Sequence, residues 1–160
     1  MLGHGHEVRM TLPPVSDMAV LEGGCHCGAV RFSVRLDGGF GAARRCTCSL
    51  CRMRGAVALS ALLDDFTLLS GADSLTEYRF NTGEARHYFC AVCGIYTHHK
   101  RRSNPHQLGI NAACLDGVSP FDFPRVPVMD GVNHPRDAAS PSGKGTQLGW
   151  LLYEPLTGDA

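Results

Sequence analysis

What this chain lacks narrows its function before any motif is read. It has no net charge, 15 Lys and Arg balancing 15 Asp and Glu, so it lacks the strongly basic footprint of a dedicated nucleic-acid binder. It has no apolar run approaching the ~20 residues that a membrane helix requires. The opening stretch "MLGHGHEVRMTLPP" lacks the charged-then-apolar layout of a secretory signal, and a cytoplasmic location is the expectation. There is no internal repeat, no heptad and no long helical period, which removes solenoids, coiled coils and helical bundles. Tryptophan occurs once.

Cysteine, by contrast, is abundant. Eight cysteines in 160 residues, with no secretory signal, point away from a disulfide framework and toward metal or redox chemistry. The length suits one domain. Short segments with strand character, bounded by Gly, Asn or Asp, run along it at 29–36, 56–63, 75–80, 85–90 and 106–115. In 29–36 the alternation is clean, with Val30, Phe32, Val34 and Leu36 on one face. "NTG" at 81–83 is placed as the turn of a hairpin joining 75–80 to 85–90. Residues 147–153 are ambiguous. Four of the nine prolines fall between 120 and 135, so the chain after 115 is expected to be a long ordered loop wrapping the sheet. The fold class is mainly β. Residues 1–20 are expected to be a loose tail, 21–135 the domain, and 136–160 an extension packing on it.

The cysteines fall into three clusters and a singleton. "GGCHCG" carries Cys25 and Cys27, and "FCAVCG" carries Cys90 and Cys93. A CxxC followed by glycine is the shape of a knuckle that aims two thiolates at one ion, and the paired CxC completes a four-thiolate set. Such a closed site is characteristic of structural Zn²⁺; an iron centre and a redox dithiol remain alternatives. "CTCSLC" then supplies Cys46, Cys48 and Cys51. Three protein ligands with one vacancy is the pattern of a catalytic zinc. Closure by Cys114 or a histidine, or three free thiols, are the other readings. Cys114 itself, in an apolar strand, reads as a buried small hydrophobe.

The polar residues around these clusters divide less sharply. Arg44, Arg45, Arg52 and Arg54 flank the three-cysteine cluster and either offset thiolate charge or hold the carboxylates of a thiol ligand. "HHKRRSNPH" at 98–106 adds a second basic patch. Alternation sends His98 and His99 to opposite faces, so one of them, taken as His99, can face a substrate. His26 reads as a turn residue and His134 as a loop-fixing one. "SGKGT" at 142–146 is not a phosphate loop, because the required glycine and hydroxyl are replaced by Ala138 and Gly145.

The segments "GGCHCGAVRF", "CTCSLCR" and "FCAVCGIYTHH", with "INAACLDGV" and "DGVNHP" after them, resemble the glutathione-dependent formaldehyde-activating enzyme family, whose domain is shared with centromere protein V. The resemblance runs from about residue 22 to 135. It implies a β-tent fold with a structural zinc on Cys25, Cys27, Cys90 and Cys93. It further implies a second, catalytic zinc on Cys46, Cys48 and Cys51, and a carbon–sulfur lyase-type activity joining glutathione to formaldehyde as S-(hydroxymethyl)glutathione. The expected cofactor is thus Zn²⁺, two per chain, and the expected partners are glutathione or a similar thiol and a small aldehyde. No nucleic acid or membrane partner is expected, and the chain is expected to be a monomer or homodimer. The competing reading is a non-catalytic zinc-stabilised binding module or a carrier of the thiol adduct.

Overall fold

The computed structural model describes Leu12, residues 19–137 and residues 145–156. The expected tail 1–20, apart from Leu12 and its last two residues, lies outside the described residues, as does most of the "SGKGT" segment. Among the described residues, eleven strands form three sheets. The first joins β1 (Val20–Gly24), β2 (Arg31–Arg35) and β5 (Phe66–Ser70), all antiparallel. The second is a five-stranded antiparallel sheet ordered β4 (Ala58–Leu62), β9 (Gln107–Asn111), β8 (Tyr96–Lys100), β7 (Arg86–Cys90), β6 (Leu75–Tyr78). The third runs β11 (Gln147–Leu152), β10 (Arg125–Met129), β3 (Arg45–Cys46), with β10 antiparallel to β11 and parallel to β3.

The core forms where the first two sheets face each other. Val30, Phe32, Val34 and Leu36 are all buried, as the period-two alternation requires. Phe32 and Val34 share one apolar cluster with Leu59, Ala61, Leu108 and Ile110 of β4 and β9. Phe32 stacks on Phe66 at 5.2 Å, and Phe66 meets the His98 ring at 4.5 Å, joining β2, β5 and β8 through aromatic contact. The hairpin between β6 and β7 turns where "NTG" sits. Asn81 is the non-glycine residue with positive φ among those described, and Gly83 N–H donates to the Phe80 carbonyl at 3.0 Å.

One expectation is corrected here, and one open segment is resolved. The proline-rich stretch after 115 is not wholly loop, because it contains β10. Pro127 is tolerated within that strand because β3 begins to pair only at Val128, so the side from which a proline N–H is missing carries no ladder at that point. The ambiguous 147–153 segment is strand, pairing with β10 from Gln147 to Leu152. The regular α-helix among the described residues is a short one, α1 (Ser49–Arg54). No helix among the described residues is long and apolar enough to cross a membrane.

Candidate metal centres and the adjoining cleft

The first cysteine cluster is built from two turns of the same design. Each turn starts with a cysteine at a strand end and closes with a glycine in the left-handed region. Gly28 (φ 79) donates to the Cys25 carbonyl at 3.1 Å, and Gly94 (φ 73) donates to the Cys90 carbonyl at 2.8 Å. Backbone N–H groups then point at sulfur: Val30 N–H to Cys25 Sγ at 3.3 Å, Val92 N–H to Cys90 Sγ at 3.4 Å. The four Sγ atoms of Cys25, Cys27, Cys90 and Cys93 lie within 4.8 Å of one another. Two of the separations are 3.5 and 3.7 Å, against the ~3.8 Å edge of a tetrahedron with Zn–S bonds of about 2.3 Å. Cys25 and Cys90 are buried with Val30, and Leu68 and Leu75 pack against them.

The chemistry of the donor set makes the same case. The Ile95 N–H, ahead of other contacts, holds the Cys93 thiol down at about 6, whereas Cys27 is pushed up to about 11 despite a lowering hydrogen bond from Ala29, its sulfur crowded by Cys25. Four sulfurs this close cannot all ionise unless a cation sits among them. A soft divalent ion fits.

The second cluster forms where β3 runs into α1. Arg44 is bridged to Ala58 by a pair of backbone hydrogen bonds at 3.0 and 2.9 Å, tying the segment to β4. On the other side β3 pairs with Val128 and Met129, and Thr47 N–H donates to the Met129 carbonyl at 3.1 Å. Cys46 ends β3. Cys48 caps α1 by accepting the Cys51 N–H at 3.4 Å, and its own N–H points at Cys46 Sγ at 3.4 Å. These turns bring three sulfurs within 4.8 Å of one another, all half-buried. Cys48 is drawn well below the usual thiol range, first by the Cys46 thiol and then by that of Cys51, while Cys46 is pushed far up. One negative charge is favoured here and a second is not, which again suits a cation. Gly131 closes one side: a Cβ there would collide with Cys46 Sγ and come within 2.7 Å of Cys48 N. Among the described residues no fourth side chain joins the three, and Cys114 is elsewhere, buried in the core with its thiol directed at the Tyr96 carbonyl at 3.3 Å.

The three sulfurs line a cleft of about 410 Å³, within the usual ~300–1,000 Å³ of small-molecule sites. Arg44 and Arg54 line it too; Arg45 and Arg52 do not, the Arg45 guanidinium lying by Gly55 and Arg52 being exposed. Arg101, Arg102, His99 and His134 come to the same cleft from β8 and the later loops. Arg54 reaches across to Cys51 Sγ at 3.3 Å and His87 Nδ1 at 3.2 Å, with its guanidinium 3.5 Å from the Tyr96 ring centre. Arg44 donates to Ser60 Oγ at 3.0 Å and is held below its ordinary pKa by burial. Arg102 is paired with Asp137 and Glu84.

The two adjacent histidines separate as alternation requires. His98 packs into the core against Tyr88 and Phe66, and His99 turns to the cleft, stacked on His87 at 5.2 Å and bonded to the Tyr96 hydroxyl. His26 is exposed in its turn, and His134 accepts the Arg136 N–H at 3.2 Å. His87 and Gly131 were not singled out from sequence. Gly131 lies in "DGVNHP", already recognised as a motif; His87 had only its place in an alternating strand as a signal.

The model of the family described as glutathione-dependent formaldehyde-activating enzyme matches residues 20–126, a span that includes all seven clustered cysteines. A curated relative from Halomonas elongata, described as "Putative glutathione-dependent formaldehyde-activating enzyme", is 37% identical over 82 residues, covering 46% of this chain and 52% of the relative. The match thus spans about half the length of that relative. A crystal structure of a Rhodobacter sphaeroides protein is 55% identical, with a TM-score of 0.67 over 68% of this chain and 99% of its own.

Proposed function

We propose, because this chain belongs to the glutathione-dependent formaldehyde-activating enzyme family, that it joins a glutathione-type thiol to formaldehyde or another small aldehyde and, in reverse, splits the adduct. The observation that carries this reading is the three-sulfur set of Cys46, Cys48 and Cys51, without a fourth ligand among the described residues, in the wall of a substrate-sized cleft. The reaction is addition of S–H across C=O. A C–S bond forms, the carbonyl becomes a hydroxyl, and the thiol proton ends on oxygen. In the reverse direction the protein is a carbon–sulfur lyase.

Cys46, Cys48 and Cys51 would hold one Zn²⁺, and Cys25, Cys27, Cys90 and Cys93 another. A zinc ion with a free position favours the thiolate form of a thiol brought beside it. The chain's own side chains do the rest. Arg54 sets a positive charge against Cys51 and limits the repulsion among the sulfurs. Arg44 has donors beyond the one it gives Ser60, and a guanidinium can take a carboxylate by two parallel bonds. That is the recognition a tripeptide thiol with two carboxylates calls for. His99 and His87 stay neutral at pH 7, both held well below their ordinary pKa first by burial, so they add no charge to the site. Holding thiol and aldehyde together supplies much of the gain for an addition that is already easy in water. The protein acts in this reading as a monomer or homodimer in the cytoplasm.

Zinc content per chain, measured on fresh protein and again after addition of glutathione and dialysis, tests the reading. Two zincs falling toward one with the fold retained is the expected result. One zinc throughout, with the three middle thiols still titratable after zinc is added back, would leave a zinc-stabilised binding module. Two zincs and tight adduct binding without turnover would make the protein a carrier.

A further inference from the structure

His87 is a cleft residue whose hydrogen bonding is half complete, and Arg54 beside it also has a buried Nε without a partner among the described residues. It stands on β7 opposite His99 of β8, its ring between those of Phe80 at 5.7 Å and His99 at 5.2 Å. Nδ1 lies 3.2 Å from Arg54 Nη1. A guanidinium donates and has nothing to accept with, and it keeps its proton at any working pH. The Nδ1 atom must therefore accept. A neutral imidazole that accepts at Nδ1 carries its proton on Nε2. That Nε2–H is buried, in a side chain only 5% exposed, and has no hydrogen-bond partner among the described residues.

A buried donor left unmade is costly, so a fold that fixes one in the wall of a ligand cleft has a use for it. His99 stands beside it in the same cleft, with its Nδ1 engaged by the Tyr96 hydroxyl. We propose that Arg54 locks His87 as the Nε2–H tautomer and that this N–H receives the oxygen of the aldehyde and of its hydroxyl adduct. The inference rests on the thiol–aldehyde reading above. As the C–S bond forms, the former carbonyl oxygen gains negative charge, and a preorganised donor stabilises it there. His87 does not give up its proton: the proton that ends on oxygen is the thiol's, so the imidazole begins and ends each turnover in the same state. Burial and the Arg54 charge keep the ring neutral down to about pH 4, leaving Nε2–H a donor throughout the working range. The role is also selective. A thioether of glutathione offers no oxygen at this position, whereas the hydroxymethyl adduct does.

The test is nitrogen NMR on the full, zinc-loaded chain labelled at histidine, with His87 assigned through loss of its signals in His87→Gln. Nε2 should be protonated and Nδ1 bare across about pH 5.5 to 8. S-methylglutathione should leave the Nε2–H resonance in place, and glutathione with formaldehyde should shift it. In turnover, His87→Phe, which keeps a ring between Phe80 and His99, should lower kcat about 10²-fold with KM for glutathione unchanged. His87→Gln, whose amide can accept from Arg54 and donate onward, should recover most of that loss. An Nδ1–H tautomer, a resonance unmoved by the adduct, or full kcat in His87→Phe would each overturn the proposal. Should His87→Phe fail to fold, the tautomer and the His87→Gln kinetics decide it. If no glutathione compound binds, the thiol reading falls; a shift with formaldehyde alone would then still support the donor, and no shift would remove it as well.

Discussion

Gly131→Ala isolates the three-thiolate centre from the rest of the fold. Gly131 has no positive φ, so the backbone itself would accept alanine, and the whole effect is steric. The added Cβ would run into Cys46 Sγ and stand 2.7 Å from Cys48 N and 2.9 Å from Cys48 Cβ. Neither side can retreat easily. Gly131 N–H is bonded to Thr47 Oγ1 at 3.0 Å, Thr47 N–H to the Met129 carbonyl at 3.1 Å, and the Asp130 carboxylate accepts from Val132 and Asn133 N–H at 2.9 and 3.0 Å. Overpacking of this kind costs about 1–3 kcal/mol. If the strain is carried by the sulfur positions, zinc affinity there drops by about 5- to 140-fold, at one decade per 1.4 kcal/mol. The four-thiolate site shares no residue with this contact and should keep its affinity. Competition against a chromophoric chelator, resolving a weak and a tight zinc per chain, measures both. Gly149→Ala, where a Cβ meets nothing within 4 Å, serves as the control. The reasoning is refuted if Gly131→Ala leaves the weaker zinc unchanged, or if it weakens both sites equally.

The two centres should also respond differently to loss of a ligand. Cys93→Ser should lower the melting temperature sharply or abolish folding, since structural zinc contributes folding free energy directly, whereas Cys48→Ser should lose thiol binding in calorimetry with far-UV circular dichroism retained. Acid should destabilise the fold through His98, which burial holds at about 4. Its unfolded value is about 6.5, so between those values the unfolded chain binds the extra proton and stability falls as pH falls. Between pH 7 and 5 this amounts to about 2 kcal/mol, and denaturant titrations of wild type and His98→Phe should differ in pH dependence by about that much; parallel curves would contradict it.

What the sequence made legible was chemistry held in short, local spacings. Each of the CxC, CxxC and CxCxxC units is a single turn, so its ligands are neighbours before tertiary structure exists, and a period-two strand such as 29–36 declares its buried face within eight residues. Joining the CxC to the CxxC was also legible, because two thiolates are an incomplete set for zinc. What was hidden depends on pairing across the chain. The β10 strand is masked by Pro127, which marks an interruption unless one knows that β3 leaves that side of the ladder empty. The spread of the flanking arginines was equally invisible, since a run of four within eleven residues does not say that Arg44 and Arg54 enter the cleft while Arg45 and Arg52 turn away.

Arg54 shows why a correct reading of a residue can still be incomplete. Its closeness in sequence to Cys51 suggests charge compensation, and the 3.3 Å contact with Cys51 Sγ has that geometry. The other half of its work lies 33 residues away, on His87. α1 is six residues long and ends at Gly55 in the left-handed region, so Arg54 occupies its last position and can extend toward β7 and β8. There the Tyr96 ring supports the guanidinium from one face. One side chain therefore faces both the sulfur charge and the imidazole tautomer. The strand that carries His87 ends in Cys90, with Cys93 in the turn after it, so the same β7 that leads into the four-thiolate cluster also lines the cleft beside the three-thiolate one. An ion held by the four-thiolate cluster would pin the end of β7 to the turn after β1, so the strand that presents His87 beside Arg54 also carries ligands of that cluster.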